Sequence, residues 1–410
     1  MIRSFFRPHL HYGWVIVATG ALTLFSCLGL ARFAYGMLLP SMRDSLGFGY
    51  DQMGLVSTGN FIGYLVSVVV APGLIRRYRP RAVIATGLLL IAVCMFAIGR
   101  CHSFGWLLAL YCLTGIGSGL ANIPVMVLVS HWFRRDRRGR AAGLMIAGNG
   151  SAIIASGYLV PALNQAFGAD GWRVAWQLLA AVSLAAAVCA AAVLRNDPAE
   201  LDLEPVGKAP PLNPDPSAAR EPTHAGRILL HLGLLYTIFG ITYMIFGTFI
   251  VSTMVEDFAF SEARAGRFWS SIGFFSVFSG VLFGTLSDRI GRKQGLLTVF
   301  AIQTVAYLLV GLRLGSAGLM IAMVLYGVSA FAIPTIMAAA VGDFLGLNRA
   351  AGAFATVTLF FAAGQVVGPG SAGLIAEASG SFSSCYLLSA ALTGGAILLT
   401  LILPKPSLVE

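Results

Sequence analysis

Charge is what this sequence has least of. Only 11% of its 410 residues are Asp, Glu, Lys or Arg, where a water-soluble globule carries roughly 25%. The 17 acids avoid the middle of every long apolar run. Glu256, Asp257, Asp288, Asp343 and Glu377 all stand at run ends or in loops. No carboxylate is therefore placed to titrate at mid-membrane, where an ion costs about 2.5 kcal/mol or more. The six cysteines (Cys27, Cys94, Cys101, Cys112, Cys189 and Cys385) form no CxxC pair and have no histidine at metal-ligand spacing. That excludes the common zinc and redox motifs and leaves small buried apolar side chains. No G-x-x-x-x-G-K-[ST] loop is present, so direct ATP drive is excluded and no cofactor is expected.

What is present is apolar sequence in long runs. Hydrophobic residues make up 57% of the chain, and a helix needs ~20 of them to cross ~30 Å of hydrocarbon. Twelve spans are predicted, at 13–39, 52–75, 82–99, 104–131, 140–164, 173–194, 228–255, 263–287, 294–312, 316–342, 350–376 and 383–403. The first follows a basic N-terminus but is too long, and holds Arg32-Phe33 too late, for a cleaved leader. The formal charge of +10 lies in short loops between the spans, which argues against nucleic acid. With the N-terminus inside, 20 of the 27 basic residues fall on the side of the termini and six on the other, Arg32 being the last. That bias predicts both termini in the cytoplasm.

One segment breaks the pattern. Arg195–Arg227 holds seven of the 17 prolines and no apolar run. Proline lacks an amide donor and fixes φ, so the segment is expected to be neither helix interior nor sheet. It divides the chain into an N-terminal six-helix bundle (1–194), a cytoplasmic linker (195–227) and a C-terminal six-helix bundle (228–410). The flanks repeat each other. Pro124, Arg140 and Pro161 match Pro334, Arg349 and Pro369 at offsets of 210, 209 and 208, and Gly73 with Arg81 matches Gly284 with Arg292 at 211. A near-constant offset is what a duplicated bundle leaves behind. The four prolines should bend their helices.

The most specific motif is Gly284–Lys293, GTLSDRIGRK. Gly284 permits a close helix contact, Gly291 a tight turn, and Asp288 is placed to cap a neighbouring helix beside Arg289 and Arg292. The motif resembles the G-x-x-x-D-R-x-G-R-[RK] loop of the major facilitator superfamily, whose members are all-α membrane transporters built as two pseudo-symmetric six-helix bundles. The first flank has a degenerate copy, with Arg77 in the acid's place. His11-Tyr12-Gly13-Trp14 and Gly171-Trp172-Arg173 are similar to the monocarboxylate and oxalate/formate porters. The stretches 29–40 and 236–249 resemble the bacterial YbfB/YjiJ-like branch. Monocarboxylate porters usually carry an arginine in the eighth span, and Phe268–Ser287 has none.

Arg32 is the one charge well inside a span, roughly 9 Å past the centre of the first. Two readings are open: an anion-binding guanidinium facing a cavity, or a side chain snorkelling to the outer interface. The resemblance implies that Tyr35, Asn60, Asn122, Asn149, Tyr243, Tyr326 and Gln365 lie on cavity-lining spans, where each could equally serve helix–helix hydrogen bonding. The glycine-rich run 364–373 is read as a packing and bending element. His131 and Asp136 have the H-x4-D spacing of glycerolipid acyltransferases, but the matching segment before Arg349 has no histidine, so an enzyme is not expected. A membrane sensor would need a signalling domain larger than the linker. The expectation is a bacterial inner-membrane secondary transporter, a monomer moving a small organic anion by alternating access with a proton or counter-anion as coupling ion. The alternative is an exporter of apolar or amphipathic metabolites or drugs.

Overall fold

The computed structural model describes residues 11–208, 225–345 and 347–403. The middle of the linker, both chain ends and the side chain of Arg349 lie outside the described residues. The architecture is helical: α1 (Tyr12–Leu24), a π-helical stretch (Phe25–Phe33), α2 (Ala34–Leu46), α3 (Tyr50–Ile98), α4 (Phe104–Trp132), α5 (Arg135–Phe167), α6 (Gly171–Val193), α7 (Ala225–Glu256), α8 (Glu262–Ile290), α9 (Arg292–Gly311), α10 (Gly315–Ser329), α11 (Ala332–Leu345), α12 (Leu347–Ser379) and α13 (Ser383–Ile402). Among the described residues, ten helical runs are long and apolar enough to cross a membrane, so the chain is a multi-pass membrane protein.

Two of those runs are far longer than one crossing, at 49 and 58 residues, and each contains a break. In α3 the break is at Arg79, with φ 65° and ψ 156°. Between α5 and α6 it is a turn at Gly168–Asp170. Gly291 before α9 has nearly the same backbone as Arg79, φ 91° and ψ 151°. This equivalence corrects the repeat register. Lys293 donates to the Leu401 and Leu403 carbonyls at 2.7 Å, closing the end of α13. Arg81 does the same for α6 through the Ala191 carbonyl. Arg81 therefore corresponds to Lys293 and Pro80 to Arg292, because the first copy of the loop is one residue shorter.

Further departures concern bends. The predicted span 316–342 is interrupted at Ala330-Phe331, just before Pro334. Pro124, Pro161 and Pro369 stay inside continuous helices. The linker's first residues are also more ordered than proline content suggests. Pro198–Leu201 form a 3-10 turn, Val206 bridges to Phe133, and Glu204 pairs with Arg134 at 2.7 Å. Asp136 accepts from the Lys208 amide at 3.2 Å, while His131 Nδ1 lies 3.1 Å from the Asn196 carbonyl oxygen. The two residues thus serve the linker separately and form no catalytic pair.

The helices before the linker meet those after it along three seams, α3 with α12, α5 with α8 and α2 with α7. The α5–α8 seam is antiparallel and backbone-close. A Cβ on Gly150 would lie 2.7 Å from the Gly273 carbonyl oxygen, and one on Gly157 2.5 Å from that of Gly266. Glycine at both heptad-spaced pairs is what lets the backbones touch. Among the described residues, every hydrogen bond across the seams lies in the half of the helices away from the linker. Ser57 and Thr248 hydroxyls meet at 3.3 Å, Thr58 donates to the Val366 carbonyl, Trp269 Nε1 donates to Ser156 and Asn164 to Glu262. At the far end Arg43 of α2 pairs with Glu256 of α7, and the Tyr50 amide donates to Glu377 at 2.8 Å.

Candidate functional site

The first crossing changes its winding before Arg32. From Phe25 to Phe33 the helix is π-wound, and the Ala34 amide reaches back five residues to the Gly29 carbonyl. Such wide turns are uncommon and occur mostly at functional positions. Gly29 lies against α5, where an added Cβ would collide with Ala152. That contact fixes the stretch closely against α5.

Arg32 is 9% exposed. Its guanidinium carbon lies 4.8 Å from the ring centre of Phe61 and 4.5 Å from that of Tyr64, both on α3. Nε and Nη2 are buried without a hydrogen-bond partner, and no carboxylate pairs with it among the described residues. The Tyr111 hydroxyl donates to the Arg32 backbone carbonyl at 3.3 Å. Tyr64 accepts from Asn122 Nδ2 at 2.9 Å. Phe33 meets the Tyr243 ring edge-on at 6.2 Å, so the site reaches across to α7. A buried cation with two bare donors and two ring faces is an incomplete ion pair: an anion would supply the missing charge and both hydrogen bonds.

Other polar residues divide between this site and packing. Tyr35 donates to the Met53 carbonyl at 2.8 Å and stacks on Tyr111 at 4.8 Å, inside the first group of helices. Asn60 donates to the Tyr111 carbonyl at 3.0 Å and leaves Oδ1 unpartnered. Asn149 Oδ1 and Gln365 Oε1 are also buried without partners. Tyr326 donates to the Tyr243 carbonyl at 2.8 Å and stacks on Phe246 at 3.9 Å. Arg32 and Asn122 are thus brought together through Tyr64, and Tyr243 stands against the neighbouring Phe33 and stacks on Tyr326, while Tyr35 and Tyr326 spend their hydroxyls on backbone carbonyls.

Sequence reasoning missed Phe61, Tyr64 and Tyr111. Tyr64 stands four residues after Asn60, hence on the same face of α3, and that spacing was the available signal. It also missed a ladder of near-parallel rings beside the site. Tyr236 stacks on Phe361 at 4.5 Å, and Phe239 on Tyr243 at 5.0 Å.

The 284–293 loop is a charge cluster. Arg292 pairs with Asp288, with Asp343 at 2.7 Å and with the Ser287 hydroxyl at 2.8 Å. Asp288 makes no cap bond to α9, whose N-cap is Gly291; it holds the Arg292 side chain instead. Gly284 faces the Thr335 methyl, 3.2 Å from an added Cβ, whereas Gly73 faces open space. The two porter-like motifs are structural clasps. Tyr12 donates to the Val193 carbonyl at 2.7 Å and Trp14 packs edge-on against Phe133. Arg173 lies over Trp172 and donates to the Cys101 carbonyl at 2.8 Å.

Comparison with known proteins agrees with this architecture. The chain is 22% identical to monocarboxylate transporter 4 of Rattus norvegicus over 411 residues, covering 95% of this chain and 82% of that one. It is 31% identical to monocarboxylate transporter 11 of Mus musculus over half of this chain and 43% of the other. It is 27% identical to the phosphoglycerate transporter protein of Salmonella typhimurium over 36% of this chain and 32% of that one. The chain therefore spans less than half the length of several curated relatives it matches. Among solved structures, the nucleoside transporter NupG superposes with a TM-score of 0.73 at 12% identity, covering 96% of this chain and 99% of that one. A bacterial homolog of the human lysosomal transporter Spinster, inward-facing and occupied, gives 0.72 at 15% identity over 97% and 96%. The sequence profile of the family described as "Uncharacterised MFS-type transporter YbfB" matches residues 24–401, so the chain belongs to that family of major facilitator transporters and is not an enzyme.

Proposed function

We propose that the protein is a secondary active transporter of a small organic anion, working by alternating access across a bacterial inner membrane with both termini in the cytoplasm. Counting each side of the breaks at Arg79 and Gly168–Asp170 as its own crossing gives twelve crossings in two bundles, 1–194 and 228–410. The observation that carries the reading is Arg32, a buried cation with two unpartnered donors and, among the described residues, no carboxylate to neutralise it. Such a group is costly when empty and suited to a charged ligand. The relatives named for monocarboxylates, phosphoglycerate and hexuronate all take anions. The hydrogen bonds clustered away from the linker support a state closed at that far end and served from the linker end.

The test is binding and transport by purified protein in proteoliposomes, offered carboxylates with and without a pH gradient. Arg32→Gln should abolish anion binding, and Arg32→Lys, which loses the planar fork, should weaken it. Wild-type affinity in both variants would remove Arg32 from the site and leave an exporter of apolar metabolites as the better reading. Reporter fusions at Arg220 and at the C-terminus should both give cytoplasmic signals.

A further inference from the structure

The shape of the charge at Arg32 and the wall beside it narrow the anion. We infer that the site takes a monocarboxylate with a planar, aromatic body, the carboxylate on Arg32 and the ring against the α7–α12 aromatic ladder. This rests on the anion reading above and goes beyond it to the chemical class of the solute.

Three observations carry the inference. The first is which guanidinium atoms are bare. Nε and Nη2 are buried without partners, and together they form the side-on edge of the fork, where one carboxylate accepts two parallel hydrogen bonds. Phe61 and Tyr64 flank the guanidinium at 4.8 and 4.5 Å. The second is the number of charges. Arg32 is the one basic residue well inside a span, and no buried acid stands beside it. A monoanion leaves the pair neutral, whereas a second negative charge would be buried without a partner. That cost corresponds to about 100-fold in affinity.

The third is the opposite wall. Phe33, the residue after Arg32, meets Tyr243 of α7 edge-on. Behind Tyr243 the rings of Phe239, Tyr236 and Phe361 lie within 15° of parallel to one another, with Tyr236–Phe361 centres 4.5 Å apart and Phe239–Phe361 5.6 Å. A short aliphatic acid has nothing to offer this ladder, while an aromatic ring adds stacking to the ion pair.

The experiment measures binding of four probes to the purified full-length protein by thermal shift and intrinsic fluorescence: benzoate, acetate, the neutral isostere benzamide, and the dianion terephthalate. Benzoate should bind at least about tenfold more tightly than acetate, and benzamide and terephthalate about 100-fold more weakly than benzoate. Tyr236→Leu and Phe361→Leu should each weaken benzoate several-fold and leave acetate alone, while Tyr236→Phe keeps benzoate affinity. Acetate binding as tightly as benzoate, or Leu variants that weaken both equally, overturns the aromatic assignment and leaves the anion reading standing. Terephthalate matching benzoate overturns the single-charge argument. Benzamide matching benzoate, or no binding by any probe, overturns the anion reading together with this one.

Discussion

The ion pair at the far end of the α2–α7 seam makes a quantitative prediction about which face is open. Arg43 pairs with Glu256 across the seam, donates to the Tyr50 hydroxyl at 2.7 Å and lies over its ring at 4.1 Å. Both side chains keep about 30% of their exposure, so the pair is worth about 1 kcal/mol after solvent screening. The ring contact joins α2 to α3, both before the linker, and does not itself hold the seam. Glu256→Gln removes the pair alone and should shift the population toward a far-end-open state about fivefold. Arg43→Gln breaks the same pair and should shift it by a similar factor. The double variant should match Arg43→Gln, because the two residues act through one contact. Ser57→Cys, buried where it meets Thr248, is the reporter: its labelling rate by a membrane-impermeant maleimide rises as the seam opens. Equal labelling in parent and variants would show that this contact holds nothing shut.

Other perturbations test other parts of the structure. Arg32→Gln removes a charge whose burial costs about 2.5–3.5 kcal/mol and two ring contacts worth about 1 kcal/mol each. The empty protein should gain about 1 kcal/mol, read as a higher melting temperature, while the stabilisation by saturating benzoate disappears; a lower melting temperature refutes the unpartnered state. Arg79→Gly should raise thermal stability by about 1 kcal/mol, since φ 65° with ψ 156° is a region glycine alone occupies freely, and Gly291→Ala should lower it by a similar amount. Asp288→Asn should slow transport with little change in substrate affinity, and Arg292→Gln, which loses Asp343 too, should slow it more. Wild-type rates in both would remove the loop from the transport cycle.

The apolar runs, the proline-rich divider and the 284–293 loop made the fold legible, because membrane crossing and cytoplasmic loops impose composition directly. Arg32 was legible for the same reason: a lone charge in an apolar run stands out. Its surroundings were not. Whether a helix winds in α or π turns depends on which carbonyl an amide reaches, and the apolar residues of 25–33 read alike in both. Tyr64 and Tyr111 were hidden among many aromatic residues whose spacing suits plain packing. The break at Arg79 was disguised because a non-glycine residue holds a glycine-like backbone, and this also displaced the repeat register by one. At 330–331 the helix ends inside an unbroken apolar run, and Pro334 marks only that a bend is near.

The glycine pairs of the α5–α8 seam bear on how easily the two groups of helices could move. Where side chains interlock, one surface must ride over the knobs of the other, and each crossing needs rotamers to change in concert. At Gly150–Gly273 and Gly157–Gly266 backbone meets backbone, with short side chains beside the contact. The side chains seated in these notches, Ser270, Ser276 and Val277 among them, are short, so few rotamers need change when the helices shift there. Polar contacts toward the far end, Trp269 with Ser156, Asn164 with Glu262 and Arg43 with Glu256 among them, then resist the motion. A bulky residue at Gly150 would act as a wedge: the protein could remain folded with its solute site intact, yet be trapped on one side of its cycle.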